Sequence, residues 1–119
     1  MRNRFPRDAR LLRPSQFRRV FSSGPCRVSD DAFTLLAKGG EHEQPRLGMA
    51  ISKRHVPRAV DRNRIKRISR EAFRQQRMAL PARDVILLAR SPARRLDRAQ
   101  LRRKLDALWQ RLIKRCGDC

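Results

Sequence analysis

The chain has 119 residues, room for one domain with one modest core, and it carries 31 Lys and Arg against 11 Asp and Glu, a net charge of +20. Self-repulsion at that charge opposes compaction, so a polyanionic partner is implied. The longest apolar run, Val85 to Ala89, falls far short of the roughly 20 residues a membrane helix needs, so no spanning helix and no membrane partner are expected, and Met1 to Pro6 is basic with no apolar stretch behind it, so no secretory signal is read.

A cytoplasmic location is expected, with cysteines kept reduced. The first predicted element is a short helix over residues 13–21, with Pro14 in its first turn, where a missing N–H costs nothing. Phe17, Val20 and Phe21 share one face of it, and Ser22 to Pro25 stops it. Residues 32–38 alternate as a strand, with Phe33, Leu35 and Ala37 on one side and Thr34, Leu36 and Lys38 on the other. Residues 26–29 are a candidate partner strand. Gly39 to Pro45 reads as a polar hairpin loop, and residues 46–52 as the next strand.

Residues 61–77 form the strongest helix pattern. Ile65, Ile68 and Ala72 make a narrow apolar stripe, while Arg62, Lys66, Arg67, Arg70, Arg74 and Arg77 cover the opposite side. A break at Leu80 to Arg83 leads to a strand over residues 84–90. Its unbroken apolar run predicts burial on both faces, in mid-sheet or beside a parallel neighbour. Asp97 to Gln100 has the form of a capping box, opening a last helix with Leu101, Leu105, Leu108 and Leu112 on one face. The stretch from strand 46–52 through helix 61–77 to strand 84–90 is a βαβ unit, which parallel pairing requires. One α/β domain spanning 1–119 is expected, with mobile ends at 1–12 and 116–119.

No catalytic constellation emerges. The acids are scattered, His42 and His55 stand apart, and there is neither a phosphate-binding glycine loop nor a nucleophile elbow. Cys116-Gly117-Asp118-Cys119 is a C-x-x-C at the wrong end of a helix for a reactive thiol, and it lacks the four ligands of a structural zinc site. No metal site and no protein-bound cofactor are assigned. The basic segment is different. From Lys53 to Arg77 there are ten Lys or Arg and two acids, Asp61 and Glu71, and the cations lie opposite the apolar stripe. Glu71 can offset only one or two neighbours along the helix. A helix N-terminus, which favours phosphate, opens the segment.

The block Arg58-Ala59-Val60-Asp61-Arg62-Asn63-Arg64-Ile65-Lys66-Arg67-Ile68-Ser69-Arg70-Glu71-Ala72-Phe73-Arg74 closely resembles the RNR signature of the bacterial ribonuclease P protein component family. Arg46 to Arg54 looks like the family strand before it, Phe5 to Phe17 is similar to the N-terminus of proteobacterial members, and Asp84 to Ala89 and the Trp109 helix match in pattern. The resemblance implies a two-layer α/β sandwich, with one mixed four-stranded sheet, three helices and a left-handed βαβ crossover, like the second domain of ribosomal protein S5. It implies an RNA-binding subunit of an endoribonuclease that removes the 5′ leader of precursor tRNA, with catalysis carried by an RNA subunit and its Mg2+ and with no obligate protein partner. By the same resemblance, Lys53, Arg54, Arg58, Arg62, Asn63, Arg64, Lys66, Arg67 and Arg70 would contact the catalytic RNA. Phe17, Phe21, Thr34, Leu36 and Ser52 would line a leader cleft, with Arg18 and Arg19 as cations in reach. A general ribosomal-type RNA binder would share the size and charge but has no reason to carry this block. A stand-alone nuclease would need a carboxylate or histidine cluster that the sequence does not offer.

Overall fold

The computed structural model describes residues 14–22, 26–39, 45–77, 79 and 83–116. The N-terminal arm and the final residues of the C-x-x-C lie outside them. The elements run α1 (Pro14–Ser22), β1 (Cys26–Ser29), β2 (Phe33–Gly39), β3 (Arg46–Ala50), α2 (Ala59–Gln76), β4 (Arg83–Ala89), a 3₁₀ helix (Ser91–Arg95) and α3 (Arg98–Cys116). Three α-helices thus flank one mixed four-stranded sheet of order β1-β2-β4-β3. β4 pairs antiparallel with β2 and parallel with β3. Its central place is what its apolar run demands, since both its faces are covered.

That order corrects one expectation. Residues 39–45 do not close a hairpin, because β4 lies between β2 and β3. A polar loop between two strands signals reversal, but it does not show which strand fills the gap. The predicted βαβ unit is present: β3 reaches its parallel partner β4 through α2.

Strand alternation divides the core in two. On one face, Val28, Phe33, Leu35, Leu47, Val85 and Leu87 pack against Ile65, Ile68, Ala72 and Phe73 of α2 and Leu101, Leu105, Leu108, Trp109 and Leu112 of α3. On the other face, a small second cluster joins Val20 of α1 to Leu36 and Ile86, with Phe17, Ala50 and Leu88 packed at its edge. Phe73 was outside the predicted stripe. It completes the α2–α3 contact, its ring centroid 5.5 Å from that of Trp109 with the planes tilted by 47°.

The helix ends follow local chemistry. At α3 the Asp97 carboxylate accepts the Gln100 N–H at 2.8 Å, while the Asp97 N–H donates to the Gln100 side chain at 2.9 Å, the reciprocal box read from sequence. α2 begins two residues before the predicted start. The Arg62 N–H donates to the Arg58 carbonyl at 3.1 Å and closes the first turn, but Val60 is 56% exposed and gave no apolar signal there. The 3₁₀ helix was not anticipated, although Ser91-Pro92 supplies its proline-led start. Cys26 is disulfide-bonded, contrary to the expected free thiols. Reading redox state from the expected compartment ignored tertiary proximity: β1 packs against α3, with Arg111 donating to the Ser29 carbonyl at 3.0 Å.

Candidate nucleic-acid interface

The side of the sheet facing α1 is organised in three rows by strand register. Lys38, Asp84 and Arg46 stand abreast in the first. Arg27, Leu36, Ile86 and Gly48 form the second. Ser29, Thr34, Leu88 and Ala50 form the third. α1 is short and covers only part of this face, its Val20 seated on Leu36 and Ile86 of the middle row.

Beyond the helix the third row opens into a cleft of about 610 Å3. Its apolar lining comes from Ala50, Ile51, Leu88 and Ala89, and its polar lining from Arg27, Thr34, Ser52, His55 and Arg90. A hydrogen-bonded track crosses this end of the sheet. Arg27 Nε donates to Ser29 Oγ at 3.4 Å, Thr34 Oγ1 to Ser29 Oγ at 3.2 Å, and Arg90 Nη2 to Thr34 Oγ1 at 3.2 Å. The track holds two exposed guanidinium groups at the borders of an apolar floor. His55 closes another border, its Nδ1 at 3.1 Å from Ser91 Oγ.

The expected cleft residues divide. Thr34 and Ser52 line the cleft. Phe17 is half-buried at the α1–sheet junction, whose neighbours Ala50 and Leu88 also line it. Leu36 is 7% exposed and lies under α1 rather than in the open part. Phe21 is 47% exposed, an outward-facing aromatic at the end of α1. Arg27, His55 and Arg90 were not anticipated. Their signal exists only in the register and in the turn after β3, because they come from three separate segments.

Residues 51–58 connect the cleft to α2. Ser52 and His55 line the cleft, while Lys53, Arg54 and Arg58 of the same segment are exposed. The basic block then shows two kinds of residue. Arg62 Nη1 donates to the Val56 and Pro57 carbonyls at 2.9 and 2.7 Å, so it braces the approach to the helix. Arg64 pairs with Asp61 at 3.3 Å and donates to the Arg94 carbonyl at 3.2 Å, tying α2 to the 3₁₀ helix. Asn63 and Arg67 are exposed, and Lys66 and Arg70 are half-exposed. Among the described residues Lys66 and Arg67 form no ion pair.

The acid expected to temper this face is directed elsewhere. Glu71 meets Arg98 at 3.5 Å and Arg102 at 3.9 Å, both from α3. Away from the site, a hydrogen bond from Lys104 holds the Asp31 carboxyl below the usual carboxylate range, and the same bond raises Lys104. Among the described residues no three His, Cys, Asp or Glu are grouped to hold a metal ion. No helix among them is long and apolar enough to cross a membrane. The arrangement can bind a phosphate-bearing chain, with a cation-bordered apolar cleft on one side and a helix face rich in Lys and Arg on the other.

Comparison with known proteins agrees. The family described as Ribonuclease P matches residues 5–113. The ribonuclease P protein component of Nitrosococcus oceani is 46% identical over 114 residues, covering 96% of this chain and 95% of the relative. That of Thioalkalivibrio sulfidiphilus is 44% identical, covering 96% and 94%. Among solved structures, the Staphylococcus aureus RNase P protein superposes with a TM-score of 0.80 at 29% identity, over 86% of this chain and 93% of that one. The Thermotoga maritima RNase P protein gives 0.73 at 26% identity, over 86% and 96%.

Proposed function

The chain belongs to the ribonuclease P protein component family, and from that premise we propose that it binds the catalytic RNA through α2 and the 5′ leader of precursor tRNA through the cleft beside α1. As a family member it is a component of the ribonuclease P holoenzyme, which matures tRNA 5′ ends in partnership with an RNA subunit. In this reading catalysis rests with the RNA subunit and its Mg2+, and the protein supplies binding. Its cations lower the repulsion between two polyanions, and its cleft extends the contact along a single strand.

The observation that carries the reading is the cleft itself. Arg27 and Arg90 border a floor of Ala50, Ile51, Leu88 and Ala89. Cations at the margins suit a phosphate backbone, and an apolar floor suits base faces without reading an edge pattern. A protein that handles many leaders needs that tolerance. Phe17 borders the cleft from α1 beside Ala50 and Leu88, and the exposed Phe21 offers a second aromatic face from the same helix. Lys53, Arg54, Arg58, Asn63, Lys66, Arg67 and Arg70 supply the contacts to the catalytic RNA, and Arg62 and Arg64 hold the helix entry that presents them.

The test is cleavage of a precursor tRNA at low Mg2+ by the cognate RNA subunit. It compares no protein, this protein, and a Lys66→Ala/Arg67→Ala/Arg62→Ala variant. The protein is expected to restore cleavage and the variant to fall short. Cleavage by the protein alone would refute the division of labour, and no gain over RNA alone would refute the subunit role.

A further inference from the structure

Asp84 is 1% exposed, and neither binding surface uses it. It is the one acid among the described strand residues on the α1 side of the sheet, between Lys38 and Arg46 in register. Its carboxylate accepts Arg46 Nε and Nη2, each at 2.8 Å, a forked pair that satisfies both oxygens. A third donor comes from α1. Arg19 Nη1 lies 3.3 Å from Asp84, and Arg19 Nη2 donates to the Gly39 carbonyl at 2.6 Å.

α1 needs such an anchor. A helix of nine residues is marginal without tertiary support, and its apolar seat is a single small cluster. Apolar contact alone leaves a short helix able to slide and roll, whereas a two-pronged guanidinium contact fixes both. The anchor lies at the opposite end of the sheet face from the cleft. Asp84 and Leu88 are four residues apart on one strand, about 13 Å. Holding α1 at the Asp84 end therefore sets where Phe17 meets Ala50 and Leu88, the two residues shared by the helix seat and the cleft floor.

We propose that the Asp84–Arg19 contact is a positioning device, which fixes α1 where its Phe17 adjoins the cleft floor and so governs how tightly a precursor tRNA leader is held. Arg19 acts here through the sheet and not on the leader. The inference rests on the leader-cleft reading above, and the experiment separates the two.

Affinity is measured with the reconstituted holoenzyme for a precursor tRNA with its full leader and for the same tRNA trimmed to one leader nucleotide. The variants are Arg19→Gln, Arg19→Lys and Asp84→Asn. Arg19→Gln leaves Asp84 paired with Arg46, so the sheet keeps its buried ion pair, which a thermal melt verifies. The affinity gained from the full leader is expected to fall about five- to tenfold in Arg19→Gln and Asp84→Asn, with the trimmed substrate unchanged and Arg19→Lys partly restoring the gain. Asp84→Asn makes the protein more cationic, so plain charge attraction predicts tighter binding, opposite to positioning. Were Arg19 itself on a leader phosphate, Arg19→Gln would lower the salt slope of binding by about one. A lowered slope, or a full leader gain retained in Arg19→Gln, overturns the proposal. Absence of any leader gain in the unsubstituted protein overturns the leader reading, and this proposal with it. Should Asp84→Asn fail to fold, Arg19→Gln decides alone.

Discussion

α2 and α3 are both long, both rich in arginine and packed against each other, yet they use their charge differently. On α3, Arg98 and Arg102 reach Glu71, Arg102 also bonds Asp106 at 3.0 Å, and Lys104 bonds Asp31 at 2.7 Å. Much of its charge is answered by acids and serves helix pairing and helix–strand contact. On α2 Arg64 pairs with Asp61, and Glu71 is claimed by α3. The helix whose Lys66 and Arg67 meet no acid among the described residues is the one that carries the family block. Cation count therefore says little about function; what distinguishes the two helices is where the acids sit.

The inner faces should behave alike, and this is where the largest effect is expected. Trp109 is fully buried between the helices and against the sheet. Trp109→Ala should cost about 3–5 kcal/mol, a large part of the roughly 5–15 kcal/mol of a small domain. Urea unfolding measures it, and a loss below about 1 kcal/mol would show that the α2–α3 interface is not the main core.

The outer faces should differ. Lys66→Ala/Arg67→Ala removes two cations from α2, and Arg103→Ala/Lys114→Ala removes two exposed cations from α3. Filter binding to the catalytic RNA across a salt series should show about a tenfold to hundredfold loss for the first pair, with the salt slope lower by about two. The second pair should lose no more than a fewfold. Equal losses would break the comparison and make the basic charge a uniform coating.

The smallest effect lies in the Lys104–Asp31 pair. The Asp31 carboxyl is held low, so its contribution to stability is present above the ordinary carboxylate pKa and fades as pH falls through the folded value. Lys104 is held high, so its contribution is present below the ordinary lysine pKa and fades as pH rises through the folded one. Both groups are solvent-accessible, and screening keeps the effect slight. Lys104→Gln should leave the thermal midpoint at neutral pH within the scatter of the melt; a clear drop would show that this exposed pair matters to α3 docking.

Local signals were read reliably where one segment contains both halves of the interaction. The α3 capping box needs only Asp97 and Gln100. The alternation of β2 needs only its own residues, and the apolar run of β4 announced a central strand. The family block lies in one continuous stretch, and so the basic helix face was visible at once.

What the chain alone determined is therefore the inventory of α-helices and strands, the parallel β3–α2–β4 unit, the basic face of α2 and membership of the family. Tertiary structure decided the rest. It inserted β4 between β2 and β3, gathered Arg27, His55 and Arg90 around one cleft, covered Leu36 with α1, turned Glu71 toward α3 and joined Arg19 to Asp84 across 65 positions of sequence. The reason is physical. Periodicity and capping report interactions within a few residues, whereas a charge or a polar group acquires its role from whatever the packed layers bring beside it.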